Sequence, residues 1–293
     1  MAQHLHYPGE YLNLTHTLTC GQAFRWRLDA DGWWAAPVRG HVIRIRQAEP
    51  GFLWETLPGE PDQALIRDYF RLDGDINAIY AHLSRSDPHV AELVERFSGL
   101  RLVRQDPTET ILSFVCSTAN SMPRIAAAIE ELSARYGRFV AEVGGRRHYA
   151  FPEVSALAHA DPDDLARVAS LGWRGPNLAM VASQILSRPP GWLDSLAAAG
   201  YEQARAELLT LRGIGAKIAD CVCLFSLGKD EAVPVDTHIR QVAARFLMPD
   251  LKTKTITPAV YDRIVQAFRE KFNGYAGWAQ EFFYYEDLLR SRR

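Results

Sequence analysis

Apolar residues along this chain change their period once. Short segments over 23–28, 33–38 and 41–46 are separated by turn signals at 29–32 and 39–40, and Val-Ile-Arg-Ile-Arg at 42–46 alternates as a half-buried antiparallel strand would. Helical spacing begins near Asp62 and continues through 76–83 and 90–97. Beyond residue 100 the pattern is almost wholly helical. Asp106-Pro107 opens a helix that runs to about Cys116, and further helices are predicted over 123–136, 162–170, 176–187, 202–211, 216–226, 237–246, 258–272 and 276–290. Gly144-Gly145, Pro189-Pro190-Gly191 and 213–215 break them. Strands followed by a run of helices predict an α+β fold: an antiparallel β-rich domain with flanking helices over 1–100, then a mostly helical domain over 101–293.

Composition narrows the class. With 47% hydrophobic and 23% charged residues the chain is neither disordered nor fibrous. Its 4 cysteines are too few for a disulfide framework. Cys221 and Cys223 lack the two-residue gap of zinc or iron–sulfur knuckles, so neither an iron–sulfur cluster nor a catalytic metal is expected. No apolar stretch long enough to span a bilayer occurs, and the opening Met-Ala-Gln-His-Leu-His lacks the pattern of a signal peptide. A reducing compartment is therefore expected, cytoplasmic and nucleoid-associated in a bacterium, with a nucleus left open. The net charge of −2 argues mildly against a nucleic-acid partner when taken alone.

The chemistry concentrates at 205–246. Two helices meet at Leu211-Arg-Gly-Ile-Gly215, where Gly213 and Gly215 can both take positive φ and admit another backbone. The free N–H groups opening the second helix would form an anion site, making 203–226 a phosphate-gripping helix-hairpin-helix; a turn between two core helices is the other reading. Lys217 falls in the first turn, where the positive end of the helix dipole disfavours its charge. Cys221 lies one turn along on the same face. Asp236 follows Val-Pro-Val and can cap the next helix, with His238 just inside it.

Together, Leu-x-Gly-Ile-Gly-x-Lys and Val-Pro-Val-Asp-Thr-His resemble the helix-hairpin-helix DNA glycosylase superfamily. A lysine at 217 resembles its bifunctional branch, which removes a base and then nicks the strand. The endonuclease III-like branch shares that lysine but usually ends in a four-cysteine loop that this sequence lacks. Cys20-Gly-Gln-Ala-Phe-Arg-Trp26, Tyr69-Phe-Arg-Leu-Asp73, Arg104-Gln-Asp-Pro107 and Gly274-Tyr-Ala-Gly-Trp-Ala-Gln280 are similar, in order, to segments of the 8-oxoguanine DNA glycosylases.

That resemblance implies roles residue by residue. Lys217 would attack the sugar C1′, expel the base and form a Schiff base leading to β-elimination. Asp236 would support the cationic transition state. Cys221 would lie beside the base, and His238, Gly213 and Gly215 would contact the DNA backbone. The Gly21 carbonyl would accept from N7–H of 8-oxoguanine, Gln280 would read the Watson–Crick edge, and Tyr284, where the family usually has Phe, would stack on the base. Phe225 falls at a pocket-wall position or in the core. Trp173 would be the wedge that fills the emptied stack, with Arg174 and Arg124 bonding the orphaned cytosine. The family's asparagine in that stack is replaced by Ala119, with Asn120 next door as a candidate DNA contact that would or would not compensate; weaker discrimination for cytosine opposite the lesion is predicted. No organic cofactor is implied; carbonyls of Leu209, Leu211 and Ile214 would hold a structural monovalent or divalent cation. The expected partner is duplex DNA containing 8-oxoguanine, met by a monomer with no membrane involvement. A glycosylase for another damaged purine, or a non-catalytic duplex-binding module, are the alternatives.

Overall fold

A computed structural model describes residues 2–7, 11–168, 171–251 and 255–291. The chain opens with β1 (Gln3–His6), α1 (Leu14–Thr19), β2 (Arg27–Leu28), β3 (Trp34–Val38), β4 (His41–Gln47) and β5 (Gly51–Leu57), followed by α2 (Gln63–Tyr69), α3 (Ile76–Ser86) and α4 (Pro88–Arg96). Next come α5 (Pro107–Cys116), α6 (Met122–Tyr136), β6 (Phe139–Val143), β7 (Arg146–Tyr149), α7 (Val154–Ala158), α8 (Pro162–Arg167) and α9 (Arg174–Leu186). The last helices are α10 (Trp192–Ala198), α11 (Tyr201–Leu209), α12 (Ala216–Phe225), α13 (Thr237–Val242), α14 (Pro258–Phe272) and α15 (Ala276–Ser291).

Caps set many of these boundaries. The side chains of Asp62, Asp75, Asp87, Asp106, Asp161 and Asp236 each accept from a backbone N–H in the first turn of the helix they precede. Pro88, Pro107, Pro162 and Pro258 occupy first-turn positions that need no N–H donor.

The five N-terminal strands form one antiparallel sheet in the order β1-β5-β4-β3-β2. Its inner face (Ile43, Ile45, Phe52, Trp54) packs on Leu65, Ile66, Tyr69 and Phe70 at α2. The other core joins α3 and α4 to the helices of the second half. Apart from Cys20 and Phe24 in the second core and Val103 in the first, the change of core falls between Leu72 and Ile76, because α3 and α4 turn their apolar faces to α14 and α15.

Other elements also differ from expectation. Only Arg27–Leu28 of the 23–28 segment pairs as a strand. Residues 14–19 are helical although Leu-Thr-His-Thr-Leu-Thr alternates like a strand, because Asn13 caps the His16 N–H. Gly144-Gly145 is the turn of a hairpin, β6–β7, inside the half expected to be helical, and both glycines have positive φ. α8 stops at Arg167, and residues 169 and 170 of the helix expected there lie outside the described residues. The helix expected over 237–246 continues past α13 as a wider π turn at Ala243–Leu247.

Three polar ties position the site. Gln22 donates to Thr17 O and Arg101 O and accepts from Val103 N at 2.8 Å, fixing the 20–24 segment between the two cores. Arg71 makes two bonds to Asp230, at 2.7 and 2.9 Å, joining the end of α2 to the loop before α13. Asp220, 0% exposed, accepts from Tyr201, Arg205 and Tyr261 and so anchors α12 to α11 and α14.

Candidate active site

The hairpin turns at Gly213, whose φ of +95° and crowding by Asn177 admit no side chain. Gly215 differs from expectation: its φ is −97°, and a Cβ there would meet nothing within 4 Å. Its bareness serves no internal contact. No side chain caps α12, so its opening N–H groups have no side-chain partner of their own.

Lys217 leans from the first turn of α12 across a cleft of about 720 Å³. Its Nζ lies 3.4 Å from Ser117 Oγ and 4.7 Å from the Phe114 ring centroid. Asp236 borders the same cleft; one carboxyl oxygen caps α13 at 3.0 Å from Ile239 N. Lys217 and Asp236 act on Cys221 in opposite senses, which places the amine and the carboxylate around one thiol. Burial dominates there and pushes the thiol up to about 12, so Cys221 is a neutral packing surface. Gly21, Asn120, Gly213, Gly215, His238 and Tyr284 complete the expected residues along the cleft. His238 is oriented by Asp287, 2.8 Å from its Nδ1.

Behind the cleft is a smaller recess of about 40 Å³, where Gly21, Lys217, Cys221, Phe225, Asp236, Gln280 and Tyr284 meet. Phe225 is both core and wall, stacking on Phe114 with centroids 5.8 Å apart. Gln280 is 3% exposed and its Oε1 has no hydrogen-bond partner. Gly21 needs to be glycine: its φ is +108°, and a Cβ would stand 2.8 Å from Tyr284 Cε1. Tyr284 thus lies across Gly21 and leaves room for little more than a water.

The loop between α5 and α6 forms one rim. Ala119 there has a φ of +48°, a left-handed conformation that asparagine tolerates better than alanine. Arg174, expected to bond the orphaned cytosine, is held here by backbone carbonyls: Nε donates to Thr118 O at 2.5 Å, one terminal nitrogen to Ala119 O at 2.7 Å, and the other to Leu171 O at 3.3 Å. It also stacks on Trp173, which is 61% exposed at the start of α9. Arg124 is exposed in the first turn of α6, close to the cleft residues Met122 and Ile125.

Leu209, Leu211 and Ile214 bracket the hairpin outside the cleft lining, and the Leu211 carbonyl accepts from Ile214 N at 3.0 Å. Among the described residues, no group of three or more His, Cys, Asp or Glu side chains could hold a metal ion, and no helix is long and apolar enough to cross a membrane. Sequence reasoning missed Phe114, Ser117, Asp287 and Glu281. The first three act through Lys217 or His238 and carry no motif of their own. Glu281 stands beside Gln280 in an otherwise aromatic run, and a lone acid there was the available signal.

Residues 4–111 match the family model described as 8-oxoguanine DNA glycosylase, N-terminal domain. Over 94% of this chain and 78% of its own length, the N-glycosylase/DNA lyase OGG1 of Arabidopsis thaliana is 32% identical. The N-glycosylase/DNA lyase of Saccharomyces cerevisiae is 27% identical over 94% of this chain and 84% of its own. Among solved structures, Clostridium acetobutylicum 8-oxoguanine glycosylase/lyase, in complex with double-stranded DNA containing cytosine opposite 8-oxoguanine, superposes with a TM-score of 0.86 at 28% identity, covering 96% of this chain and 93% of that one.

Proposed function

The chain belongs to the 8-oxoguanine DNA glycosylase family, and from that membership and the cleft's geometry we propose that it excises 8-oxoguanine from duplex DNA and then nicks the abasic strand. The observation that carries this reading is the meeting of Lys217, Asp236 and the Gly21–Gln280 recess in one cleft, beside an uncapped helix start. The α12 N-terminus, Gly215 and His238 grip phosphates, and Trp173 enters the stack while the target base turns into the recess. Tyr284 must leave Gly21 for the base to enter. Arg174, together with Arg124, then serves the orphaned base, exchanging its loop carbonyls for the base edge.

Lys217 Nζ bonds to C1′ as the C1′–N9 electrons leave with the base. Asp236 offsets the positive charge that develops on the sugar. Loss of the amine protons and opening of the sugar give an imine at C1′; removal of a C2′ proton then expels the 3′ phosphate. The hairpin carbonyls of Leu209, Leu211 and Ile214 would hold a structural cation, whose chemistry is to neutralise a backbone phosphate. The proposed set is complete within one chain, so a monomer would suffice for the reaction.

Borohydride trapping on a duplex containing 8-oxoguanine tests the assignment. The wild type should yield a covalent adduct and Lys217→Gln none. No adduct with the wild type would overturn the lyase step, and trapping only on another damaged purine would reassign the substrate.

A further inference from the structure

One acidic group in the recess has no part in the steps above. Glu281 follows Gln280 on α15, is 1% exposed, and lines the recess with Gly21, Cys221 and Tyr284. Among the described residues it takes part in none of the ion pairs. It shares a hydrogen bond with Cys20, while its Oε1, like that of Gln280, has no partner. Two adjacent side chains thus bring unpartnered buried oxygens to one small space. Such groups are costly unless something hydrogen-bonds them.

The groups facing Glu281 are Cys20 from the turn after α1, Lys217 and Cys221 from α12, Asp236 from the cap of α13, and Tyr284 one turn on. Burial, with the Asp236 charge adding to it, pushes the carboxyl up to about 8. At neutral pH the group is therefore an acid with an O–H to donate.

We propose that Glu281 is a specificity-determining residue of this recess, donating a hydrogen bond to a carbonyl oxygen of the extruded purine on the side facing Cys20 and Gly21. It rests on the glycosylase reading above. Gly21 offers a backbone acceptor and Gln280 an amide, so Glu281 supplies the second donor a carbonyl-bearing purine needs. A base without that carbonyl would leave the donor unpaired, which is how a polar pocket rejects a near-isostere. Ionisation removes the donor and sets a negative charge beside the electrons that the departing base carries away.

The test compares wild type, Glu281→Gln and Glu281→Leu in the full chain, by single-turnover excision from an 8-oxoguanine:cytosine duplex and by cleavage of a preformed abasic duplex. Both series run from about pH 6 to about pH 10. Glu281→Leu should lose roughly tenfold or more in excision but under about threefold in abasic cleavage, and Glu281→Gln should recover most of the loss near neutrality. The ratio of wild type to Glu281→Gln should be level below about pH 7 and fall about tenfold per unit above about pH 8. A level ratio throughout, or equal losses in excision and abasic cleavage, would overturn the proposal. A wild type that cleaves abasic DNA and excises no 8-oxoguanine would overturn the substrate reading and this inference with it.

Discussion

Gly213 and Gly215 are two glycines in one hairpin with opposite reasons to be there. The first is fixed from inside, by a φ of +95° and the nearby Asn177 side chain; the second faces open space with an ordinary φ. Gly213→Ala should therefore cost about 1–3 kcal/mol in denaturant unfolding and weaken duplex binding with it. Gly215→Ala should change stability by no more than about 0.5 kcal/mol yet reduce binding at least roughly tenfold in a fluorescence titration. Equal binding by Gly215→Ala and wild type would remove this glycine from the DNA contact. At this scale the sequence was most informative where chemistry and motif coincide. Lys217, Asp236, Gln280 and Gly21 were legible from four short runs, and all line one recess. Glu281 showed only as a lone acid in an aromatic run, with nothing to say that it is buried, and nothing local says that Ser117 will face Lys217.

At the scale of elements, the α5–α6 loop is where this chain departs from its family. Ala119 holds a left-handed backbone, and Arg174 ties the carbonyls on either side of it. Where the family places an amide in the emptied stack, this loop offers a methyl group, with Asn120 turned back to the Cys116 carbonyl at 3.3 Å. Excision opposite C, A, G and T should differ by less than about tenfold for the wild type, and Ala119→Asn should widen the preference for C. A strict preference in the wild type would contradict this. The Asn variant should also be slightly more stable, because asparagine adopts this backbone more readily. Element boundaries were legible where an aspartate and a proline stood together, as at Asp106-Pro107 and Asp161-Pro162. They were not legible in β6–β7, whose short strands of Phe-Val-Ala-Glu-Val and Arg-Arg-His-Tyr alternate too briefly to outweigh the helical run around them.

Across the whole molecule, the net charge of −2 rules out a polycation and leaves room for a small, local grip. The groups proposed to grip phosphate amount to one helix start and His238, while Arg39, Arg71, Arg104 and Arg205 are held in ion pairs. Duplex affinity should therefore fall with salt along a shallow log–log slope, about −2 to −4. A slope near −8 would mean that many more phosphates are held than the proposed grip supplies. The α+β order was legible from the change of period. The place where the core divides was not, because α3 and α4 read as neighbours of the strands they follow and pack instead against α14 and α15.

Tyr284 resting on Gly21 has a consequence for how such a molecule would spend its time on DNA. If the ring must swing aside before anything enters, then a base turned out of the helix is judged by its patience as well as its shape. A normal base that falls back within the lifetime of the closed ring is never inspected. One that lingers is admitted and read. The door, rather than the room behind it, would then set how many undamaged bases the protein passes for each one it removes.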